Sequence, residues 1–271
     1  MDRLKKILKK MGRVVIAFSG GVDSTFLVKA AKDILGSKNV LAVTATSETF
    51  PRSELKDAKR LASSIGVKHM VIRTKELEDP DFKTNPPRRC YYCKSELFGK
   101  LSRIAERGGF RYVADASNYD DKKDFRPGAL AAKEKKVRSP LKEARLTKDD
   151  IRRLSKRLGL PTWDKPSYAC LASRIPYYEA ITGKKLNRIE AAEEVLRKRL
   201  NLRQIRVRSH GDIARIEVAP GDIRRLIGDK ASGDIVKRLN ALGFKYVTVD
   251  LKGYRTGSMN PAPLKYSKKE R

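Results

Sequence analysis

The sequence has 271 residues, of which 40% are hydrophobic and 35% are charged, a composition that excludes the disordered and fibrous classes of protein. Its length suits two domains, because single hydrophobic cores rarely grow beyond about 250 to 300 residues. A formal net charge of +30 predicts affinity for polyanions, nucleotides or acidic substrates, with an ion-paired surface of the kind found in thermophiles as the alternative.

The first half of the chain alternates strand-like and helix-like segments. Apolar or β-branched runs occur in RVVIAFS, VLAVTAT and HMVIRT, and the segments between them, STFLVKAAKDIL and RSELKDAKRLASSIG, have apolar residues at helical spacing. This βαβαβ order predicts a parallel sheet with right-handed crossovers and helices on its faces. The apolar run at residues 14–18 is shorter than the core of about 7 to 15 residues in a secretory signal, so we expect a cytoplasmic protein.

A loop rich in proline and charge follows, ELEDPDFKTNPPRRCYYC, and opens into a helix predicted over residues 92–107. The segment RYVADAS predicts a fourth strand. The segment LTKDDIRRLSKRLGL predicts a helix that begins after Thr147, because Asp150 stands three residues later, as in a capping box.

From about Thr182 the pattern changes. A helix is predicted in TGKKLNRIEAAEEVLRKRL, then two strands around a turn at residues 210–212, two further helices, and a last strand in KYVTVDL. The sequence therefore predicts an α/β domain with a parallel sheet over residues 1–175, a smaller α+β domain over residues 176–260, and a basic tail over residues 261–271.

The first strand runs directly into SGGVDS, residues 19–24, which we call the phosphate loop. Gly20 and Gly21 allow positive φ and a close backbone approach, so that successive N–H groups can converge on an anion. The helix that follows, expected to begin near Ser24, adds the partial positive charge of its N-terminus. The sequence therefore predicts a phosphate site between the first strand and the first predicted helix.

Ser19 and Ser24 offer hydroxyl hydrogen bonds, and Asp23 is a candidate ligand for the Mg²⁺ of a triphosphate. The loop lacks the lysine of a Walker A motif, and a G-x-G-x-x-G fingerprint is also missing. It resembles instead the PP-loop, Ser-Gly-Gly-x-Asp-Ser, of the ATP pyrophosphatases, which cleave ATP between the α and β phosphates. A tight strand-to-helix connection without a ligand is the alternative.

The chain has three cysteines, Cys90, Cys93 and Cys170, and an odd number favours reduced thiols over a disulfide framework. Cys90 and Cys93 are separated by two residues at a predicted helix start, where both thiolates can face one metal and the helix N-terminus would lower their pKa values. A structural zinc site would need a further ligand, from His69, His210 or a carboxylate. Three cysteines with a vacant position suit a [4Fe–4S] cluster whose fourth iron is open. Buried thiols without a ligand are the alternative.

Six motifs together resemble the LarE family, the ATP-dependent sulfur transferases of nickel-pincer nucleotide biosynthesis. They are AFSGGVDSTFL, PPRRCYYCKSELF, ADASNYDDKKDFRPG, VRSPLKEARLTKDDIRRLSKRLGLPTWDKPSYACLASRIPY, RVRSHGDIARIEV and YVTVDLKGYRTGSMN. The similarity extends from about Leu4 to Asn260. It implies a PP-loop ATP pyrophosphatase domain followed by a smaller α+β domain.

LarE-type enzymes adenylate a carboxylate of pyridinium-3,5-biscarboxylic acid mononucleotide, releasing pyrophosphate, and then install sulfur as a thiocarboxylate, releasing AMP. The resemblance therefore implies ATP and Mg²⁺ as cofactors, a nucleotide-like small-molecule substrate, no membrane partner and a homo-oligomer. The donor of the sulfide stays open.

The resemblance also implies roles for individual residues. The ATP phosphates would be bound by Ser19, Gly20, Gly21, Asp23 and Ser24, and Asp120 and Asp121 would lie near the nucleotide and its metal. The substrate phosphate would be bound by Arg206 and Arg208. Glu194 and Glu217 are weaker candidates for metal or substrate contacts. Arg206 and Arg208 share one strand face, where two guanidinium groups can converge on a phosphate. The alternatives are an exposed basic strand face for the arginines and solvated surface groups for the glutamates.

The LarE family has two sources of sulfur. Members with a lone cysteine at the position of Cys170 sacrifice its sulfur and are left with dehydroalanine, whereas members that also carry Cys-x-x-Cys resemble cluster-dependent thiolation enzymes. The second pattern implies that Cys90, Cys93 and Cys170 bind a [4Fe–4S] cluster with a sulfide on its open iron. Sacrificial donation from Cys170 is the alternative.

Three other functions fit parts of the sequence. Thiolation of tRNA would use the positive charge, but the chain has no added zinc-ribbon cysteine pairs and no aromatic-rich RNA platform. Amide synthesis with ammonia, as in NAD or GMP synthetases, would use the phosphate loop and leave the cysteines without a role. A nucleotide-sensing scaffold would bind ATP without turnover.

Overall fold

The computed structural model describes residues 1–123, 127–166 and 169–259, and the predicted tail at residues 261–271 lies outside the described residues. The chain forms two compact units. The first comprises Met1–Cys170 and Ala180–Gly183, and the second comprises Leu171–Glu179 and the chain from Lys184 onward. The domain limits expected at residues 175 and 260 stay predictions.

The first unit is built on a four-stranded parallel sheet, which confirms the predicted fold class. Its strands are β1 Val14–Ala17, β2 Val40–Thr46, β3 Lys68–Arg73 and β4 Tyr112–Ala114. Their order in the sheet is β3-β2-β1-β4, and each neighbouring pair is parallel. Because β2 and β3 extend the sheet to one side of β1 and β4 extends it to the other, the winding direction reverses between β1 and β4.

One helix precedes the first strand of this unit, and the others follow the strands. The helices are α1 Asp2–Met11, α2 Val22–Leu35, α3 Arg52–Ile65, α4 Pro80–Lys83, α5 Arg89–Arg107, α6 Gly128–Glu134, α7 Pro140–Glu143 and α8 Lys148–Arg157. Helices α2 and α5 begin two and three residues before their expected starts, because the polar first turn of a helix does not show the apolar spacing that the prediction uses. Helix α1 is not among the elements predicted from the sequence, although the buried residues of this helix, Leu4, Leu8 and Met11, stand at helical spacing.

The helices cover both faces of the sheet. Val14 and Ile16 of β1 lie in one apolar cluster with Phe26 of α2, while Val15 lies in a second cluster with Leu101 of α5. Alternate residues of a strand face opposite sides of the sheet. The uninterrupted apolar run of β1 is therefore buried on both faces, as parallel sheets require.

The second unit contains a three-stranded sheet in the order β5-β6-β7. Strands β5 Ile205–His210 and β6 Ile213–Val218 are antiparallel, and β7 Tyr246–Val249 is parallel to β6. The helices of this part of the chain are α9 Gly183–Leu200, α10 Ile223–Ile227 and α11 Asp229–Ala241. The predicted turn between β5 and β6 is confirmed, with Gly211 at φ 56°. None of the helices in the described ranges is long and apolar enough to cross a membrane.

The predicted capping box at the start of α8 is present, and it yields a stability prediction. Thr147 Oγ1 accepts a hydrogen bond from Asp150 N at 3.2 Å, and Asp150 Oδ2 accepts one from Thr147 N at 3.2 Å. Thr147→Ala removes the first of these bonds, and we expect it to lower the free energy of unfolding by about 1 kcal/mol. Urea denaturation measures this change. Thr147→Ser keeps the hydroxyl and is the control; an equal loss in both variants would contradict the assignment.

Candidate functional site

The phosphate loop connects the end of β1 to the start of α2. Gly20 has φ 70°, and Gly21 is the N-cap of α2. The hydroxyl of Ser24 donates to Gly21 O at 3.2 Å and lies 3.1 Å from the hydroxyl of Ser19. The first N–H groups of a helix have no partner within it and carry the positive end of its dipole. The loop and the first turn of α2 therefore have the geometry that binds anions in other proteins.

Gly20 is required by its surroundings as well as by its backbone angle. A Cβ built at this position would lie 3.2 Å from the Cα and Cβ of Ala58 in α3. Glycine therefore allows α3 to approach the loop closely, and a side chain would have to displace it.

Asp23, expected to hold Mg²⁺, is bonded to two polar side chains. Lys148 forms an ion pair with its Oδ2, and Asn118 Nδ2 donates to its Oδ1 at 3.4 Å. Asp120 Oδ2 accepts from the backbone N of Lys148 at 2.7 Å, and Asp121 Oδ2 accepts from the backbone N of Asn118 at 3.0 Å. The segment after β4 is thus linked to the phosphate loop through Asn118. The expected position of Asp120 and Asp121 near a nucleotide and its metal stays a prediction.

A cavity in the first unit joins the phosphate loop to the third cysteine. It is lined by Ser19, Gly21, Phe50, Pro51, Glu54, Lys165, Pro166, Ala169 and Cys170. A ligand held by the phosphate loop in this cavity would therefore be close to the Cys170 thiol. The cavity's polar groups are a hydroxyl, a carboxylate, an ammonium and a thiol, which suits a charged ligand.

The three thiols differ in exposure. Cys90 is exposed, whereas Cys93 and Cys170 are half-buried. The Cys93 thiol donates to Glu76 Oε1 at 3.5 Å. Burial and then the Glu76 carboxylate raise the pKa of Cys93 well above its ordinary value, and Cys170 and Cys90 act in the same direction. The expectation that the helix N-terminus lowers this pKa is wrong for Cys93, because burial beside a carboxylate outweighs the helix dipole.

Cys170 and Cys90 act electrostatically on the Cys93 thiol and contribute to its raised pKa. Across the described ranges, no group of three or more His, Cys, Asp and Glu side chains is arranged to hold a single metal ion. The predicted zinc ligand His69 has its Nε2 2.8 Å from Thr44 Oγ1. The thiolates of an iron–sulfur cluster bind different irons and so stand farther apart than the ligands of one ion. A [4Fe–4S] cluster bound by the three cysteines therefore stays a prediction.

In the second unit, Arg206 and Arg208 of β5 are buried, so the alternative of an exposed basic strand face is wrong. Arg208 Nη2 donates to Glu217 Oε2 at 2.7 Å. The Arg206 guanidinium lies 5.2 Å from the ring centre of Tyr254, and burial, followed by the nearby charge of Arg174, lowers the pKa of Arg206 to about 10. Both side chains belong to a buried charged cluster.

The rest of that cluster pairs Arg174 with Glu193. Arg174 donates from Nε to Glu193 Oε1 at 2.8 Å and from Nη2 to Oε2 at 3.1 Å. Burial acts to raise the pKa of Glu193, but Arg174 outweighs it and the pKa is lowered. Arg174, Arg206 and Arg208 thus lie with Glu193 and Glu217 in one buried charged cluster. Burial of charged groups is costly unless they are paired and hydrogen-bonded.

The two glutamates named from the sequence occupy different environments. Glu194 is exposed and pairs with Lys198 on α9 at 2.6 Å, which agrees with the alternative of a solvated group. Glu217 is fully buried, and its carboxylate also accepts from Arg215 at 3.2 Å and from Ser258 at 2.9 Å. The alternative is therefore wrong for Glu217, which is a member of the buried cluster.

Several residues of these sites are absent from the sequence-based prediction: Asn118, Lys148, Lys165, Glu76, Arg174 and Glu193. Lysine and arginine make up 62 of the 271 residues, so no single one is distinctive by type. The short distance in sequence from Lys165 to Cys170, in WDKPSYAC, is a local signal that could have drawn attention to Lys165.

Comparisons with known proteins agree with this geometry. A family model described as NAD synthase matches residues 1–83. An uncharacterized protein of Synechocystis is 45% identical over 260 residues, 96% of either chain. The pyridinium-3,5-bisthiocarboxylic acid mononucleotide synthase of Lactiplantibacillus plantarum is 41% identical over 254 residues, which cover 93% of this chain and 91% of the relative. A tRNA-specific 2-thiouridylase of Desulforamulus reducens is 28% identical over 193 residues, 57% of this chain and 53% of the relative.

The contact between Gly20 and Ala58 yields a prediction with a matched control. Gly12 also has positive φ, at 67°, but a Cβ built there meets nothing within 4 Å. We expect Gly12→Ala to lower the free energy of unfolding by about 1 kcal/mol and Gly20→Ala to lower it by about 2 to 3 kcal/mol, because only the second adds a steric clash to the backbone strain. Urea denaturation of both variants measures the difference. Equal losses would show that α3 does not constrain the loop.

Glu217 and Glu194 form a second matched pair. Glu217→Gln leaves Arg208 without its buried ionic partner, and we expect the free energy of unfolding to fall by about 3 to 5 kcal/mol. Glu194→Gln removes an exposed pair and should leave the unfolding midpoint unchanged. Thermal and urea denaturation compare the two. A mild effect of Glu217→Gln would contradict the assignment of a buried charge cluster.

Proposed function

The chain belongs to the LarE family of PP-loop enzymes, and on that premise we propose that it is an ATP-dependent sulfur transferase of nickel-pincer nucleotide biosynthesis. In this proposal it adenylates a carboxylate of pyridinium-3,5-biscarboxylic acid mononucleotide and converts it to a thiocarboxylate. The observation that carries the proposal is the cavity lined by both the phosphate loop and Cys170. Activation of a carboxylate by ATP and delivery of sulfur need those two features side by side.

The first proposed step is adenylation. A carboxylate oxygen attacks the α-phosphorus of ATP, the bond to the bridging oxygen of the β-phosphate breaks, and pyrophosphate leaves with that oxygen. The N–H groups at the start of α2 and the hydroxyls of Ser19 and Ser24 would bind the phosphates. Asp23, with Asp120 and Asp121 nearby, would bind the Mg²⁺ that accompanies the triphosphate. The product is an acyl adenylate in which AMP has become a leaving group.

The second proposed step replaces AMP with sulfur. A sulfur nucleophile attacks the acyl carbon, and AMP leaves. Cys90, Cys93 and Cys170 would hold a [4Fe–4S] cluster, which when bound supplies an iron open to exogenous sulfide. The place of Cys170 in the lining of the cavity beside the phosphate loop supports delivery of sulfur there. Sacrifice of the Cys170 sulfur is the rival, and it would leave dehydroalanine at position 170.

The buried arginines of the second unit are proposed to bind the phosphate of the substrate. Arg206 and Arg208 are buried, and burial with the nearby charge of Arg174 lowers the pKa of Arg206. A phosphate would be attracted by these guanidinium groups and would accept bidentate hydrogen bonds from them. Glu217 would orient Arg208 through their ion pair.

Further features of the proposal concern the surroundings of the enzyme. Reduced cysteines are typical of the cytoplasm, which we propose as its compartment. The expected homo-oligomer stays a prediction, and the source of sulfide stays open. Similarity to a tRNA 2-thiouridylase over 57% of this chain and the net charge of +30 favour tRNA thiolation as the second candidate. The NAD synthase match ends at residue 83, before the cysteines, so it bears only on the part of the chain that contains the phosphate loop.

The proposed function predicts a substrate-dependent release of pyrophosphate. Anaerobically reconstituted protein with ATP, Mg²⁺ and inorganic sulfide should release pyrophosphate and AMP when pyridinium-3,5-biscarboxylic acid mononucleotide is added, and mass spectrometry should find sulfur in place of a carboxylate oxygen. Cys170→Ala should still form pyrophosphate but no thiocarboxylate. Turnover with bulk tRNA instead would favour the second candidate, and ATP binding without any pyrophosphate would favour a scaffold.

The cluster is tested by its iron. After anaerobic reconstitution, we expect about four irons and four sulfides per chain, and a loss of most of both in Cys90→Ala, Cys93→Ala and Cys170→Ala. Iron and sulfide assays with absorption spectroscopy measure this. Iron contents that do not respond to the three substitutions would contradict the proposed ligands.

A further inference from the structure

Lys165 lies in the cavity between the phosphate loop and Cys170 and has no role in the functions described above. Its Nζ donates to Glu54 Oε2 at 2.9 Å, to Asp57 Oδ2 at 3.2 Å and to Gly20 O at 3.5 Å. The lysine side chain is 15% exposed. Its ammonium group is therefore fixed at the wall of the phosphate loop, largely out of water.

The position of this charge is significant because of what surrounds it. Among the described residues that line the cavity, Lys165 provides the one cationic side chain and Glu54 provides the one carboxylate. The side chain of Glu54 is 9% exposed, and that of Asp57, outside the lining, is 38% exposed. The ammonium group of Lys165 thus contacts the carboxylates of Glu54 and Asp57. An anionic ligand could accept a hydrogen bond from this ammonium group, either in place of one carboxylate or together with both.

The proposed adenylation step would be favoured by a cation in the cavity beside the phosphate loop. The reaction brings a substrate carboxylate against the α-phosphate, and both groups are anions. Negative charge also accumulates on the phosphoryl oxygens as the new bond forms. A preorganised donor in a site with little water stabilises such charge far more than it would in water.

We propose that Lys165 is a catalytic residue that binds the reacting carboxylate and the α-phosphate during adenylation. The ammonium group keeps its proton and acts through charge and hydrogen bonds, while the carboxylate oxygen bonds to phosphorus and pyrophosphate departs. Glu54 and Asp57 are positioning residues that hold the ammonium group beside Gly20 before substrate arrives. This inference rests on the proposed function, since it assigns Lys165 to the adenylation step.

A purely structural tie is the competing explanation. In that case the ion pairs of Lys165 with Glu54 and Asp57 would only stabilise the contact between the segment around Lys165 and α3. The two explanations differ in what happens when the carboxylates are neutralised. Glu54→Gln with Asp57→Asn breaks the tie but keeps the ammonium group, whereas Lys165→Gln removes both.

The test measures pyrophosphate release by the full chain with ATP, Mg²⁺ and pyridinium-3,5-biscarboxylic acid mononucleotide. Removing one preorganised donor of this kind costs about 10² to 10³ in kcat, and we expect that loss in Lys165→Gln. Calorimetry should find the ATP affinity changed by less than about tenfold, because the ground state is bound mainly by the phosphate loop. Lys165→Arg should restore part of kcat. Lys56→Gln, an exposed lysine of α3, is the control and should match wild type.

The outcomes separate the explanations. A much smaller loss of kcat in Glu54→Gln/Asp57→Asn than in Lys165→Gln supports a catalytic lysine, and equal losses in the two overturn it in favour of the tie. Wild-type kcat in Lys165→Gln overturns the inference while the proposed function stands. Failure of the wild-type chain itself to release pyrophosphate overturns both. Should Lys165→Gln fail to fold, the comparison of Lys165→Arg with the double variant decides in the same way.

Discussion

The parallel direction of four short strands determines where the chemistry of the first unit can be. Parallel strands all end at the same edge of a sheet, and each strand here runs into a segment that belongs to the candidate site. The phosphate loop follows β1, Glu54 follows β2, Glu76 follows β3 and Asn118 follows β4. The hydrogen bond from Asn118 to Asp23 lies where the winding direction reverses, between β1 and β4. Open α/β sheets bind their ligands at such points.

The second unit depends on a different constraint, the cost of burying charge. Its short strands carry Arg206, Arg208 and Glu217 at buried positions, where apolar residues would cost less free energy to remove from water. Apolar residues of the same size commonly give equal stability, so the proposed binding of a phosphate by Arg206 and Arg208 would account for the presence of this cluster.

Much of this could be predicted from the sequence, because the relevant signals are local. The phosphate loop, the capping box at Thr147 and the turn at Gly211 each follow from a few adjacent residues. The raised pKa of Cys93 could not be predicted, because it depends on burial and then on Glu76, 17 positions earlier in the chain. The same holds for Lys165, whose carboxylate partners are more than 100 positions away. Burial of the arginine pair is likewise a property of packing rather than of strand periodicity.

The central claim is that an acyl adenylate formed at the phosphate loop receives sulfur without the destruction of Cys170. The most direct measurement counts thiocarboxylate products per chain under anaerobic conditions with ATP and excess sulfide, and then determines the intact mass of the protein. The account predicts several products per chain and an unchanged cysteine at position 170. At most one product per chain, with dehydroalanine in place of Cys170, would contradict it and establish the sacrificial route.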